Sequence, residues 1–329
     1  MFPRHGTWND RAVATVYVTR PLPAPGTEPL RAAGMTVVQH EPDSPPSRAE
    51  LRANLAQADA LLCLLTEQVD DDLLASGDRL RVVANLAVGY DNVDVAAAAR
   101  RGVVVTNTPD VLTEATADLA WAAMLAACRH VVTGDRLVRS GGWAGWSPTQ
   151  LIGRPVHGRT LGIVGLGKIG TAVARRATGF SMRVLYHSRS RHEAEVEVGG
   201  RWAPLEQLLS ESDVVSLHAP LTPSTHHLID GAALRRMKPS AVLVNTARGP
   251  LVDEAALVTA LRDGEIAAAA LDVYEREPAV TAGLAGLDNV VLLPHLGSAT
   301  DEARRGMVEL ACANVVAVLA GRPPLTPVT

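Results

Sequence analysis

Short apolar runs alternate along this chain with stretches in which apolar residues return every third or fourth position. Residues 13–18, 35–38, 60–65, 80–85 and 103–106 are apolar on both faces and read as buried strands. Between them, 48–56, 70–75 and 93–101 carry helical spacing, while the Pro-rich stretch after residue 20 reads as a loop. Strand and helix in alternation predict βαβ units on a parallel sheet. Residues 13–108 are therefore expected to form an α/β domain of flavodoxin-like type. Residues 112–140 read as one long helix, capped by Thr113, with Glu114 in its first turn and Gly141-Gly142 at its end. Six further apolar runs follow, at 160–164, 183–187, 213–217, 241–246, 266–271 and 290–293. The clearest helices among them are 204–210 and 254–263. The helical pattern of 301–320 follows the last strand with no sheet left to cover, so it is expected to cross back to the first domain. The expected division is an extension at 1–12, a first domain at 13–108, a second at 109–296 and a returning segment at 297–329, with a cleft between the two domains.

The first strand of the second set runs into Gly165-Leu166-Gly167-Lys168-Ile169-Gly170, and helical spacing continues to Ala177. This is G-x-G-x-x-G with a strand before it and a helix after it, the setting a dinucleotide fingerprint requires. Gly165 permits the tight turn, Gly167 lets backbone N–H groups approach a pyrophosphate, and Gly170 lets helix and strand pack closely. The positive end of the helix dipole faces the phosphates. Six strands with this turn after the first predict a doubly wound Rossmann sheet. An NAD site places a carboxylate at the end of the second strand to hold the ribose 2′-OH. Here that strand ends at His187 and continues into Ser188-Arg189-Ser190-Arg191, hydroxyls and guanidinium groups suited to a 2′-phosphate. NADP(H) is the expected cofactor, with NAD(H) as the alternative.

A length of 329 residues suits two domains, and a hydrophobic content of 47% is ample for two cores. The net charge of −4 offers no electrostatic case for nucleic acid or an anionic membrane. Cys63, Cys128 and Cys312 are odd in number and set among apolar residues, which suggests buried thiols in a reducing compartment. Residues 1–12 lack the apolar core of a signal peptide, and no apolar run is long enough to span a bilayer. A soluble, cytoplasmic protein is expected.

Three polar residues stand just past expected strand ends: Arg248 in Asn245-Thr246-Ala247-Arg248-Gly249, Glu277 before Pro278, and His295 after Pro294. Singly, each has an ordinary reading as a surface ion pair, a turn former or a cap. Together they share the carboxyl edge, where open α/β sheets bind ligands. A guanidinium fork can hold a substrate carboxylate and polarise a neighbouring carbonyl. An imidazole can deliver a proton while a nicotinamide delivers hydride, and a carboxylate bonded to the imidazole favours its charged form. The set suits reduction of a 2-keto acid. His218, His226 and His227 lie in a Pro-containing loop without metal-ligand spacing, and no metal is expected.

With these residues in order, the chain resembles the D-isomer-specific 2-hydroxyacid dehydrogenase family, nearest to its glyoxylate/hydroxypyruvate reductase branch. The likeness runs from about residue 14 to 325 through LLCLLTEQVD, VGYDNVD, TPDVLTEATADLA, SGGWAGW, GLGKIG, HAPLTPST, NTARG, LDVYEREP and PHLGSAT. The extension at 1–12 departs from the family's pattern and touches no motif. The resemblance implies Arg248 as substrate-binding and catalytic, Glu277 as the partner of the histidine, and His295 as acid/base. It implies that backbone amides of Val88 and Gly89 bind the substrate carboxylate. Asp272 would hold the nicotinamide amide and Thr116 would approach the cofactor. His218, Ala219, Pro220 and Thr246 would line its adenosine and ribose side, with His295 and Gly297 beside the nicotinamide. A tryptophan of the 140–146 loop reaches the partner subunit's substrate site in that branch, so a homodimer is expected, with Trp143 limiting substrate size. Glyoxylate and hydroxypyruvate are the expected substrates. A 2-ketogluconate or broad D-2-hydroxyacid dehydrogenase is one alternative, and a dinucleotide-sensing corepressor is another of a different class.

Overall fold

The computed structural model describes residues 13–328, so the extension at 1–12 lies outside the described residues. The chain divides into two units: one runs to Leu112 and resumes at Thr300, and the other is Thr113–Ala299.

In the first unit, β1 (Thr15–Val18), β2 (Thr36–Gln39), β3 (Ala60–Cys63), β4 (Val82–Asn85) and β5 (Val104–Thr106) form a parallel sheet ordered β2-β1-β3-β4-β5, the flavodoxin-like order. Every residue of β3 and β4 is buried, which is why both read as unbroken apolar runs. The helix Asp301–Leu319 packs on β3, β4 and β5. Its start is fixed by the Thr300 hydroxyl, which accepts the Ala303 N–H at 3.2 Å, with Asp301 and Glu302 in the first turn.

The second unit holds β6 (Thr160–Val164), β7 (Arg183–His187), β8 (Arg201–Trp202), β9 (Val214–Leu217), β10 (Val242–Asn245), β11 (Ala268–Leu271) and β12 (Val290–Leu292). Their order is β12-β11-β10-β9-β6-β7-β8, all parallel. This is a doubly wound Rossmann sheet of seven strands rather than the six expected. The extra member, β8, is only two residues long and pairs at the sheet edge, too short to leave a periodic signal. Strand β6 pairs with β7 on one side and β9 on the other, so the chain reverses its order around the strand that feeds the glycine-rich turn.

The single helix expected over 112–140 is two helices, Thr113–Cys128 and Val131–Arg139. Thr113 is the first helical residue rather than a cap. The Cys128 carbonyl accepts the Arg154 N–H at 2.7 Å instead of continuing the helical ladder, and His130 turns the chain with φ of 54°. The first of the two buries eight side chains, whereas the second buries none. Among the described residues, no helix is long and apolar enough to cross a membrane.

Candidate active site

The glycine-rich turn leaves β6 with Gly165 at φ 96°, and its N–H donates to the His187 carbonyl at 2.8 Å. A Cβ on Gly165 would lie 2.7 Å from the Ala219 nitrogen, and one on Gly170 would lie 2.1 Å from the Gly165 oxygen. These two glycines let the helix Lys168–Ala177 start tight against the strands. Gly167, at the N-cap, is different: among the described residues, nothing stands within 4 Å of a Cβ there, and no side chain caps the helix. The space beside Gly167 at this helix N-terminus is where a fingerprint of this kind admits an anion.

Beside this turn, the His187 ring bonds the Ala203 carbonyl at 3.0 Å through Nδ1. The Ser188 hydroxyl donates to the Ser190 carbonyl at 2.6 Å, and Trp202 Nε1 donates to the Ser188 carbonyl at 3.1 Å. Arg189, Ser190 and Arg191 are exposed. Sequence reasoning missed Glu195, whose carboxylate stands 3.5 Å from Arg191 and accepts the Tyr186 hydroxyl at 2.5 Å. Of the two arginines, Arg191 is thus drawn toward a carboxylate. His218 bonds Ser216 Oγ at 2.8 Å through Nε2, and burial pushes its pKa down to about 4, so near neutral pH it brings no charge.

Three loops past β10, β11 and β12 build the polar centre. Asn245, the last residue of β10, shapes the first: its Nδ2 donates to the Arg248 carbonyl at 2.8 Å and its Oδ1 accepts the Ala247 N–H at 3.1 Å. Arg248 is half-buried and donates from Nη1 to the Ala247 carbonyl at 2.9 Å. Gly249 presses this loop onto the next, since a Cβ there would fall 1.9 Å from the Tyr274 carbonyl carbon. Tyr274 donates its N–H to Glu277 Oε1 at 3.0 Å and its hydroxyl to the Leu293 carbonyl at 2.9 Å. Buried Glu254 accepts the Glu275 N–H at 2.9 Å and the Thr281 hydroxyl. Glu277 is fixed at both ends, for its Oε2 meets His295 Nδ1 at 2.8 Å. Burial raises the Glu277 carboxyl's pKa, but the bond and charge of His295, the Tyr274 N–H and the Arg248 charge outweigh it and hold the carboxyl below its ordinary range.

His295 itself sits at φ 55°, a left-handed conformation unusual for a residue with a Cβ. Its N–H donates to the Asp272 carbonyl at 3.0 Å. The Asp272 carboxylate accepts the Leu296 N–H at 2.7 Å and the Gly297 N–H at 2.8 Å, while the Thr116 hydroxyl donates to the Gly297 carbonyl at 3.0 Å. Asp272 and Thr116 therefore brace the histidine loop, a task that sequence reasoning did not assign to either. Burial raises the Asp272 pKa, opposed in part by these N–H groups and by His295.

Val88 and Gly89 belong to the first unit, in the turn after β4. Trp143 and Trp146 are exposed, the latter at 83%.

A model of the D-isomer-specific 2-hydroxyacid dehydrogenase NAD-binding domain matches residues 121–297. A glyoxylate reductase of Pyrococcus furiosus is 50% identical over 316 residues, spanning 94% of each chain. Among solved structures, a Thermus thermophilus protein superposes with a TM-score of 0.90 at 46% identity, over 96% of this chain and 100% of its own. The NADPH-dependent glyoxylate/hydroxypyruvate reductase of Sinorhizobium meliloti, in complex with NADP and malonate, gives a TM-score of 0.85 at 35% identity over 97% of each. With the glycine turn, the braced histidine–glutamate pair and these matches across nearly its whole length, the chain belongs to the D-isomer-specific 2-hydroxyacid dehydrogenases.

Proposed function

We propose that this enzyme reduces glyoxylate and hydroxypyruvate to the corresponding 2-hydroxy acids, with NADP(H) preferred over NAD(H). The observation that carries the reading is the Glu277–His295 pair, because Nδ1 is taken by the carboxylate and Nε2 is the nitrogen left for the substrate. The dinucleotide fits the residues present: among the described residues, the cradle at Gly167 is open and buried Thr246 Oγ1 has no partner. Gly165, Leu166, Gly167, Lys168, Ile169 and Gly170 would hold the pyrophosphate, and His187, Ser188, Arg189 and Ser190 the ribose 2′-phosphate. His218, Ala219, Pro220 and Thr246 would line the adenosine and ribose side, and Thr116, Asp272, His295 and Gly297 the nicotinamide side. When bound, the nicotinamide supplies the hydride.

The rest is the work of the chain's own residues. His295 gives its Nε2 proton to the carbonyl oxygen, and Glu277 offsets the imidazolium charge before transfer and holds the ring afterwards. Arg248 supplies the fixed positive charge that binds the substrate carboxylate and draws electron density toward the carbonyl oxygen. Amides of Val88 and Gly89 take up the same carboxylate. Relatives support the substrate class, since the Pyrococcus furiosus protein is a glyoxylate reductase and the Sinorhizobium meliloti structure holds NADP. A homodimer in the cytoplasm completes the reading. It is supported by the helix Val131–Arg139, which buries no residue of its own, by exposed Trp143, and by the free, buried Cys63, Cys128 and Cys312.

Initial rates with NADPH and NADH, each against glyoxylate, hydroxypyruvate, pyruvate and 2-ketogluconate, test this reading. The expected result is a higher kcat/KM with NADPH and with the first two acceptors. A preference for NADH would reduce Arg189 to a solvated surface residue, and failure to turn over any acceptor would refute the proposal.

A further inference from the structure

The turn after β4 carries three consecutive carbonyls, each held by a different donor. The Ala87 carbonyl accepts the Thr108 N–H at 2.9 Å. The Val88 carbonyl accepts Asn107 Nδ2 at 2.8 Å, and the Gly89 carbonyl accepts Asn85 Nδ2 at 2.9 Å. In a trans peptide the C=O and the following N–H point in opposite directions. Pinning these three oxygens therefore turns the N–H groups of Val88, Gly89 and Tyr90 the other way. Among the described residues, no acceptor in the chain takes any of those three N–H groups. Successive outward amides of this kind form an anion-binding concavity.

The two asparagines are themselves anchored. Asn85 is fully buried, and its Nδ2 also donates to Asn92 Oδ1 at 3.1 Å, while Asn92 Nδ2 reaches the Leu64 and Glu67 carbonyls at 3.1 and 3.0 Å. Asn107 is held from the other side of the sheet edge. Its carbonyl accepts the Thr326 hydroxyl at 2.6 Å, and its N–H donates to the Thr326 carbonyl at 3.3 Å. Thr326 is clamped in turn by fully buried Asn314 on the helix Asp301–Leu319. Asn314 Nδ2 donates to the Thr326 hydroxyl at 2.8 Å, and its Oδ1 accepts the Leu325 and Thr326 N–H groups at 2.9 and 3.1 Å. A line of hydrogen bonds thus runs from Asn314 through Thr326 and Asn107 to the Val88 carbonyl.

We infer that Asn107 and Asn85 are positioning residues that aim the Val88–Tyr90 amides at the substrate carboxylate, and that the segment around Thr326 sets the register of Asn107. This rests on the reading that 2-keto acids are the substrates. Without the Asn107 amide, the Val88–Gly89 peptide is released to rotate, so the anion loses an aligned donor while the dinucleotide fingerprint, which lies in the other unit, is untouched.

The test compares the wild type with Asn107→Ala and with Asn107→Ser, the milder change should the alanine variant fold poorly. Oxalate serves as a probe of carboxylate binding to the enzyme–NADPH complex, glyoxylate as substrate, and NADPH binding alone as control. The expected result is a rise of about tenfold in both the oxalate Kd and the glyoxylate KM, a smaller fall in kcat, and an NADPH Kd within twofold of the wild type. Thr326→Val should move the same two constants in the same direction by a smaller factor. Oxalate and glyoxylate constants that stay within twofold of the wild type would overturn the assignment, as would an equal loss of NADPH binding, which marks general damage. Absence of wild-type turnover with any 2-keto acid would instead refute the underlying reading, so the two failures are distinct.

Discussion

His295 holds a left-handed backbone at a position where a Cβ makes that conformation cost about 1–3 kcal/mol. The Asp272 carbonyl and carboxylate, which together accept three successive N–H groups from His295 to Gly297, offset that cost and fix the ring's direction. Glu277 then restricts Nδ1. Because His295 helps hold the Glu277 carboxyl below its ordinary pKa, the pair is complete at pH values above the usual carboxylate range. It is lost only as the pH falls through the depressed value. Glu277→Gln removes the negative charge that favours imidazolium. The wild-type profile is expected to fall as the pH drops through the depressed Glu277 value, and Glu277→Gln to lose that acid limb, with kcat down at least tenfold at pH 7. A kcat–pH titration checks this, and an acid limb kept unchanged in Glu277→Gln would mean the carboxylate does not couple to the proton donor. That Arg248, Glu277 and His295 follow strand ends was legible because β10, β11 and β12 are nearly pure aliphatic and a polar residue after each stands out. The bracing by Asp272 was not legible. Its acceptors serve amides more than twenty residues further on, and no spacing rule connects a carboxylate to a returning backbone.

Elements were readable where burial is uniform and unreadable where an end is set by a distant partner. Strands β3, β4, β6 and β9 are buried throughout, and their apolar runs announced them. The break at His130 depends on Arg154 capturing the Cys128 carbonyl, an interaction that local periodicity does not carry. Contact between the Arg248 loop and the Tyr274 loop is of the same kind, because it exists only by virtue of the missing Cβ at Gly249. Gly249→Ala is expected to force the two backbones apart, costing about 1–3 kcal/mol. That corresponds to a fall in Tm of roughly 2–4 °C per kcal/mol for a domain of this size. Since Arg248 moves with the loop, kcat/KM for the keto acid should fall about a hundredfold, while NADPH affinity changes far less. Melting curves and steady-state kinetics on one preparation check both parts. Wild-type kinetics with a lowered Tm would separate the packing role from the catalytic one.

For the whole molecule, the helix Val131–Arg139 and the loop after it leave Val131, Val138, Trp146 and Ile152 exposed at 56%, 59%, 83% and 71%. A second copy of the chain is the proposed occupant of these exposed apolar residues. Sedimentation at micromolar concentration is expected to give twice the chain mass for the wild type and a single chain mass for Val138→Asp combined with Ile152→Asp. A monomeric wild type would remove the dimer from the proposal. The order of the chain also bears on biosynthesis. The sheet β2-β1-β3-β4-β5 is encoded by residues up to 106, yet one of its covering helices is Asp301–Leu319 and its edge bonds Val328 to Val105. A ribosome therefore delivers the first sheet long before the layer that closes it, whereas the intervening unit emerges as one continuous stretch. During synthesis the later-made unit can finish first, and the earlier-made one must wait with one face of β3 and β4 uncovered for nearly two hundred codons, about 10–40 s at ordinary elongation rates. That interval, rather than the mature enzyme, is when this apolar face of the sheet meets water.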